Sequence, residues 1–251
     1  MRVICNKCGA VCETRIPAHI VDKFLENDME FPWLCSSCFE ARRQEEEEAE
    51  AREIEKEEAE WLDTLVAQAG VRPEYAVRKP YVPYVADWLH KHRTENVLLS
   101  GETGTGKSTS AGFVIRSLLK ANATVHVYYM AELLDRWREV RCTNDNPNSI
   151  RALFAEIESN DFLIIDECAG KTVNSDSTRE FMFRLLEDVA SGACHAVVWL
   201  LGNFYTGSVA ATFGDEAPAM RRLREKFTCA RIIPERKTVV PIFGSEVKHD
   251  R

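Results

Sequence analysis

Residues 101–108 read GETGTGKS. Ahead of them lies NVLLS (96–100), apolar enough to be a buried strand, and behind them STSAGFVIRSLLK, which has the pattern of a helix over 108–120. A Gly-x4-Gly-Lys-Ser run between a strand and a helix is the arrangement of a phosphate loop. Gly101, Gly104 and Gly106 allow backbone conformations closed to other residues and a close approach to an anion. With Glu102, Thr103 and Thr105 between them, successive N–H groups point inward onto phosphate oxygens. The helix that starts near Lys107, Ser108 and Thr109 adds the positive end of its dipole. Lys107 is placed to reach the β- and γ-phosphates of ATP, and the Ser108 hydroxyl to ligate magnesium. About one chain in a hundred of this length would show the motif by chance. A glycine-rich turn alone gives no reason for Lys-Ser to follow.

Outward from the loop, the sequence alternates between two periods. Apolar runs at 96–100, 124–129 (TVHVYY), 161–165 (DFLII) and 196–201 (AVVWLL) read as buried strands. Helical patterns at about 108–120, 131–141, 148–158 and 178–191 separate them, and 229–243 reads as one or two further strands. Such alternation implies an α/β fold with a parallel sheet covered on both faces. The strand FLIIDE ends in two acids. Asp166 is expected at the edge of the sheet where the phosphate loop lies, holding magnesium, with Glu167 polarising the attacking water. Asn203, after VVWLLG, is a candidate for contact with the γ-phosphate or its water, although Gly202-Asn203 is also a turn signal.

The head of the chain has different chemistry. Cys5-x2-Cys8 and Cys35-x2-Cys38 form two pairs with 26 residues between them. Two such knuckles can close a tetrahedron of four thiolates around zinc, a structural site with no open position. An iron–sulfur cluster or a redox pair is the alternative, and Cys12 or His19 could replace a ligand. The cysteines at 142, 168, 194 and 229 lack ligand spacing and read as small apolar residues. Nine cysteines, an odd count, argue against a disulfide framework, and the start MRVICNKCGA lacks the apolar core of a secretory signal. These features give an intracellular, cytoplasmic expectation. No apolar stretch approaches the roughly 18 residues of a membrane span.

The formal net charge is -8, and residues 45–60 (EEEEAEAREIEKEEAE), with ten Glu against one Arg and one Lys, account for all of it. That run is rich in helix formers and too poor in apolar positions for a coiled-coil seam, so it reads as a solvated helix or linker. The expected domains are a zinc-binding module over 1–40, an acidic helical linker over 41–74 and an ATPase domain over 75–251. Residues 218–251 carry nine Lys/Arg against four Asp/Glu, so an acidic whole does not exclude nucleic acid.

Over residues 75–240 the sequence resembles the DnaC/IstB-like helicase loaders, a family of AAA+ ATPases. The resemblance lies in the order GETGTGKS, HVYYMAELLDRWREV, FLIIDE, STREFMFRLLEDVASGACHAVVWLLGN and AMRRLREKF. It implies the AAA+ fold without a helical lid, since only 28 residues follow Leu223. Lys107 and Ser108 match the Walker A positions, Asp166 and Glu167 the Walker B pair, and Asn203 the sensor I position. Arg222 matches the arginine finger that acts on ATP bound to a neighbouring subunit, with Arg221 and Arg224 one alignment step away. Two departures stand out: Asp-Glu where the family often has Asp-Asp, and Leu201-Gly202 where it often has Thr-Ser. The resemblance further implies loading of a hexameric replicative helicase, single-stranded DNA as a partner and a homo-oligomer in the ATP state. Tyr128, Tyr129, Arg136, Trp137, Arg138, Arg141 and Lys171 have the chemistry of DNA contacts, though Tyr128 also reads as the end of a buried strand and Trp137 falls at core spacing from Leu133 and Leu134. Two rivals remain: an IstB-like transposition helper assembling on duplex DNA, and a zinc-bearing adaptor that uses ATP as a slow switch.

Overall fold

Short runs of β-branched and aromatic residues alternate with stretches whose apolar residues recur every three or four positions, and each becomes the element its period dictates. The computed structural model describes residues 2–13, 17, 19, 23, 34–143, 147–169, 176–204 and 217–243. The chain divides into two compact units, Met1–Trp61 and Leu62–Arg251.

In the first unit, β1 (Arg2–Ile4) and β2 (Val11–Glu13) pair antiparallel, with Arg2 opposite Glu13 and Ile4 opposite Val11. Helix α1 runs from Ser36 to Gln68. It therefore begins within the expected zinc module, and its last turns belong to the second unit. Its acidic face carries i,i+4 ion pairs such as Arg42–Glu46 at 2.7 Å and Glu48–Arg52 at 3.8 Å, all widely exposed. Such pairs are worth only about 0.3–0.5 kcal/mol each. Helix propensity over a run without Gly or Pro thus explains more of this stretch than its charges do.

Leu62 and Val66, near the end of α1, are buried in the second unit's core. Asp63 on the next face accepts hydrogen bonds from both Arg78 and Arg116, which hold its carboxyl below the usual carboxylate range. Residues 61–68 are thus helical, within the stretch expected as an acidic helical linker over 41–74, but the helix stops short of residue 74. Gly70 takes φ +84, where a Cβ would lie 2.6 Å from the Val127 carbonyl oxygen. This left-handed residue ends the helix and lets the backbone close onto the sheet edge, where the Val127 N–H donates to the Ala69 carbonyl at 2.7 Å. A 3-10 turn (Pro73–Tyr75) and helix α2 (Pro83–Lys91), each opened by proline, complete the approach.

The remaining elements alternate: β3 (Val97–Ser100), α3 (Lys107–Lys120), β4 (Val125–Tyr129), α4 (Met130–Thr143), α5 (Pro147–Ile157), β5 (Phe162–Asp166), α6 (Asp176–Ser191), β6 (Val197–Gly202), α7 (Ala217–Lys226), β7 (Thr228–Ile233) and β8 (Thr238–Pro241). The sheet order is β4-β5-β6-β3-β7-β8. All neighbours are parallel except β7 and β8. The turn at Pro234–Arg236, closed by Lys237 at φ 48, reverses the chain. So short a connection joins only antiparallel strands.

Alternate residues of each strand enter opposite cores. Leu98, Leu163, Ile165, Val198 and Leu200 face one, while Val97, Leu99, Ile164, Trp199 and Leu201 face the other. The first core takes α4, α5, α6 and α7, and the second takes α2, α3 and the end of α1. Trp137 sits in the first core at 1% exposure, with the rings of Phe154 and Phe181 each 5.9 Å away. No helix among the described residues is long and apolar enough to cross a membrane.

Candidate nucleotide and metal sites

Strand β3 delivers the loop 101–106 directly into α3. Gly104 and Gly106 take φ +83 and +81, and a Cβ on Gly106 would lie 2.4 Å from the Val82 Cγ2. Only glycine therefore fits beneath the segment that crosses the loop. No side chain caps α3, whose N-cap is Gly106, so its first N–H groups stand ready for an anion. Lys107 Nζ donates to the carbonyls of Gly101 at 2.6 Å and Glu102 at 2.9 Å. Burial lowers its pKa, and the charge of Asp166 opposes that shift.

Strand β6 lies between β3 and β5. Three strand ends therefore meet at one edge of the sheet, carrying the phosphate loop, Gly202-Asn203 and Asp166-Glu167. The Gly101 N–H donates to the Gly202 carbonyl at 3.1 Å, and the Cys168 N–H to the Leu201 carbonyl at 2.9 Å. Asp166 is 4% exposed. Burial raises its pKa, while hydrogen bonds from the Ser108 hydroxyl and the Glu167 N–H, and the charge of Lys107, pull the other way. The two residues predicted to hold magnesium are thus in contact with each other. A carboxylate and a hydroxyl suit a hard cation that keeps most of its waters. A buried acid with a raised pKa is also a group that such a cation would stabilise.

Glu167 has a left-handed backbone, φ 58, an uncommon state for a residue with a side chain and one that collects at functional sites. Its Oε1 accepts from Arg72 Nη1 at 3.2 Å, and Arg72 Nη2 donates to Glu132 Oε1 at 3.1 Å. The guanidinium lies over the Tyr129 ring, 3.5 Å from its centroid, and the Arg72 N–H donates to the Tyr129 hydroxyl at 3.1 Å. Burial works against the charge of Arg72, but Glu132 and Glu167 hold its pKa above the ordinary value. Burial, with Asp166 and Glu167 nearby, raises the pKa of Tyr75. Tyr129 is pushed up to about 12, chiefly by burial. Sequence reading did not find Arg72, Tyr75 or Glu132. For Arg72 and Tyr75 the only signal is a turn of Pro and Gly upstream of the loop, which names no chemistry, and Glu132 is one acid among several charged residues on a helix after β4.

Arg222 packs on α6: its guanidinium lies 5.2 Å from the Phe183 ring centroid and pairs with Glu187, leaving the side chain 20% exposed. Arg221 is 70% exposed and lies 3.7 Å from Glu225, and Arg224 lies over Phe243. Among the candidate DNA contacts, Tyr128, Tyr129 and Trp137 are buried. Arg136, Arg138 and Arg141 pair with Glu156, Asp135 and Glu180. Lys171 lies outside the described residues. Arg72, Tyr128, Tyr129 and Arg136 help line a cavity of about 350 Å³.

In the first unit, the sulfurs of Cys5, Cys8, Cys35 and Cys38 all lie within 4.8 Å of one another. The Cys8 and Cys35 sulfurs are 3.7 Å apart; a tetrahedron with 2.3 Å zinc–sulfur bonds has edges of about 3.8 Å. Both knuckles come from tight backbone. The Gly9 N–H donates to the Cys5 carbonyl and the Cys5 N–H to Ala10, while the Cys38 N–H donates to the Cys35 sulfur at the start of α1. Backbone hydrogen bonds from Cys35 and Cys8 lower the Cys5 pKa to about 6, and the Ser37 hydroxyl lowers that of Cys35. Hydrogen bonding to Cys35 and Cys8 pushes Cys38 up to about 12, as a thiol retaining its proton among thiolates would be. The donor set fits zinc. Cys12 and the exposed His19 are not part of the cluster.

No family model matches the sequence, and no curated protein matches it. Solved structures similar to it include the DnaC helicase loader (12% identity, 59% of this chain and 86% of that one, TM-score 0.47). Others are AMPPCP-bound DnaA from Aquifex aeolicus (15% identity, 64% and 51%, TM-score 0.47) and DnaI (18% identity, 59% and 81%, TM-score 0.46).

Proposed function

We propose that the protein is an AAA+ ATPase that assembles on a hexameric replicative helicase and loads it onto DNA in the cytoplasm. The observation that carries the ATPase part is the meeting of Ser108, Lys107 and Asp166 at the mouth of an uncapped helix, with Glu167 next in the chain. In this reading the loop N–H groups and Lys107 bind the phosphates. Ser108 and Asp166 would hold magnesium, which when bound neutralises charge developing on the β- and γ-phosphates. Glu167 takes up a proton from the attacking water, and Asn203 orients that water. Arg222 acts from the neighbouring subunit, exchanging Glu187 for the γ-phosphate. The loader part rests on the order of motifs over residues 75–240. The cysteine module would hold zinc and grip the helicase, and single-stranded DNA would meet the oligomer.

The test is native mass spectrometry of the intact protein with the host's replicative helicase, with and without ATP, beside ATP turnover on single-stranded DNA. A complex that depends on ATP and is lost with Lys107→Ala is expected. Glu167→Gln should retain the complex and lose turnover at least about 100-fold, the range in which a positioned general base works. ATP-dependent oligomers on duplex DNA without helicase binding would replace the loader reading with the transposition helper. Normal turnover by Glu167→Gln would remove the ATPase mechanism.

A further inference from the structure

We propose that Arg72 is a positioning residue for Glu167, restraining the carboxylate so that the lone protein hydrolyses ATP below its capacity. The proposal rests on Glu167 being the group that polarises the attacking water. Arg72 is held by contacts that have no part in the chemistry: its backbone N–H on the Tyr129 hydroxyl, its guanidinium over the Tyr129 ring, and Nη2 on Glu132. Its remaining contact, Nη1 on Glu167 Oε1, therefore ties a half-exposed carboxylate to a cation anchored elsewhere. A guanidinium fork directs that hold as well as supplying it.

The restraint opposes the work expected of Glu167. A carboxylate already accepting from a cation has one oxygen engaged, and its charge is spent on the guanidinium instead of on a water's proton. The left-handed backbone at Glu167 directs the side chain from the end of β5, and Gly70 brings Arg72 back to the edge of β4. The side chains of Arg72 and Glu167 are 34% and 49% exposed, so the pair is screened by water. A half-exposed ion pair can hold back a rate by only about two- to fivefold. Arg72 is thus a brake of modest size, one that a contact competing for the guanidinium could release.

The experiment measures kcat, KM and equilibrium ATP binding for the full-length protein and for Arg72→Ala, Arg72→Lys, Glu132→Gln and Glu167→Gln. The expected result is a two- to fivefold rise in kcat for Arg72→Ala, with KM and ATP affinity within twofold of the parent. Arg72→Lys, which keeps the charge but not the fork, should fall between. Glu132→Gln, which loosens the guanidinium without touching it, should shift kcat in the same direction by less. If Arg72→Ala proves unstable, the other two variants carry the comparison. An unchanged or lowered kcat, or a change confined to KM, overturns the restraint. In that case an inactive Glu167→Gln leaves the catalytic reading of Glu167 standing, whereas normal turnover by Glu167→Gln removes both.

Discussion

Glu158, far from any motif, shows how a single residue can set the response to pH. It follows α5, and its Oε1 is buried without a hydrogen-bond partner. Burial, with repulsion from Asp188, raises its pKa from 4.5 to about 7, against the pull of Arg184. The folded protein thus holds a proton that the unfolded chain releases near pH 4.5. Stability from this group is full below about pH 4.5 and is lost as pH rises through about 7. Glu158→Gln removes the group that must be charged at high pH. Its melting temperature should match the parent's near pH 4.5 and exceed it by a few degrees at pH 8, since about 1 kcal/mol corresponds to about 2–4 °C in a domain of this size. Thermal unfolding of both proteins at the two pH values makes the check, and an equal difference at both would show that packing, not charge, sets the effect.

At the scale of elements, the first unit lacks what the second has. Its one buried apolar residue among those described is Cys5, and Phe39, Ile54 and Trp61 are exposed. A unit with so little core would depend on a bound metal for its stability. One zinc per chain is expected by elemental analysis, and Cys8→Ser should lower that content at least tenfold. Chelation should remove a low-temperature transition and leave the main unfolding transition of residues 62–251 in place, and a single transition displaced as a whole would show the two units to be one. What could be read in advance follows the same division between local and distant. The phosphate loop, the strand-end acids, the cysteine pairs and the main strands and helices are legible because their signals lie within a few residues of one another. The helical ending of α1 falls within the expected helical linker, but its anchoring in the second core does not show in advance, because Leu62, Leu65 and Val66 are few apolar residues at the end of a long charged run. The antiparallel β8 was hidden because a run of strand formers does not state direction. Arg72 and Glu167 stand 95 positions apart, and no spacing rule joins them.

For the whole molecule the open question is whether the site is complete within one chain. Asp166, Glu167, Lys107 and Ser108 come together in a single subunit, but the arginines of α7 do not join them among the described contacts. Arg222 faces Glu187 and Phe183 instead, and Arg221 is the more exposed of the two. An arginine supplied across an interface is worth about 10³–10⁵ in rate, so its loss should be unmistakable and should leave ATP binding intact. Arg222→Ala alone, and Lys107→Ala alone, are each expected to be inactive, the first with nucleotide bound and the second without. Mixed, they form interfaces in which an intact phosphate loop meets an intact arginine, and part of the turnover should return. Arg221→Ala in the same mixture decides the register. Should it lose turnover and recover it on mixing while Arg222→Ala turns over normally, the finger is Arg221, and Arg222 belongs to the packing of α7 on α6. Should neither variant recover in the mixture, the arginines act within their own chain and the requirement for an oligomer falls.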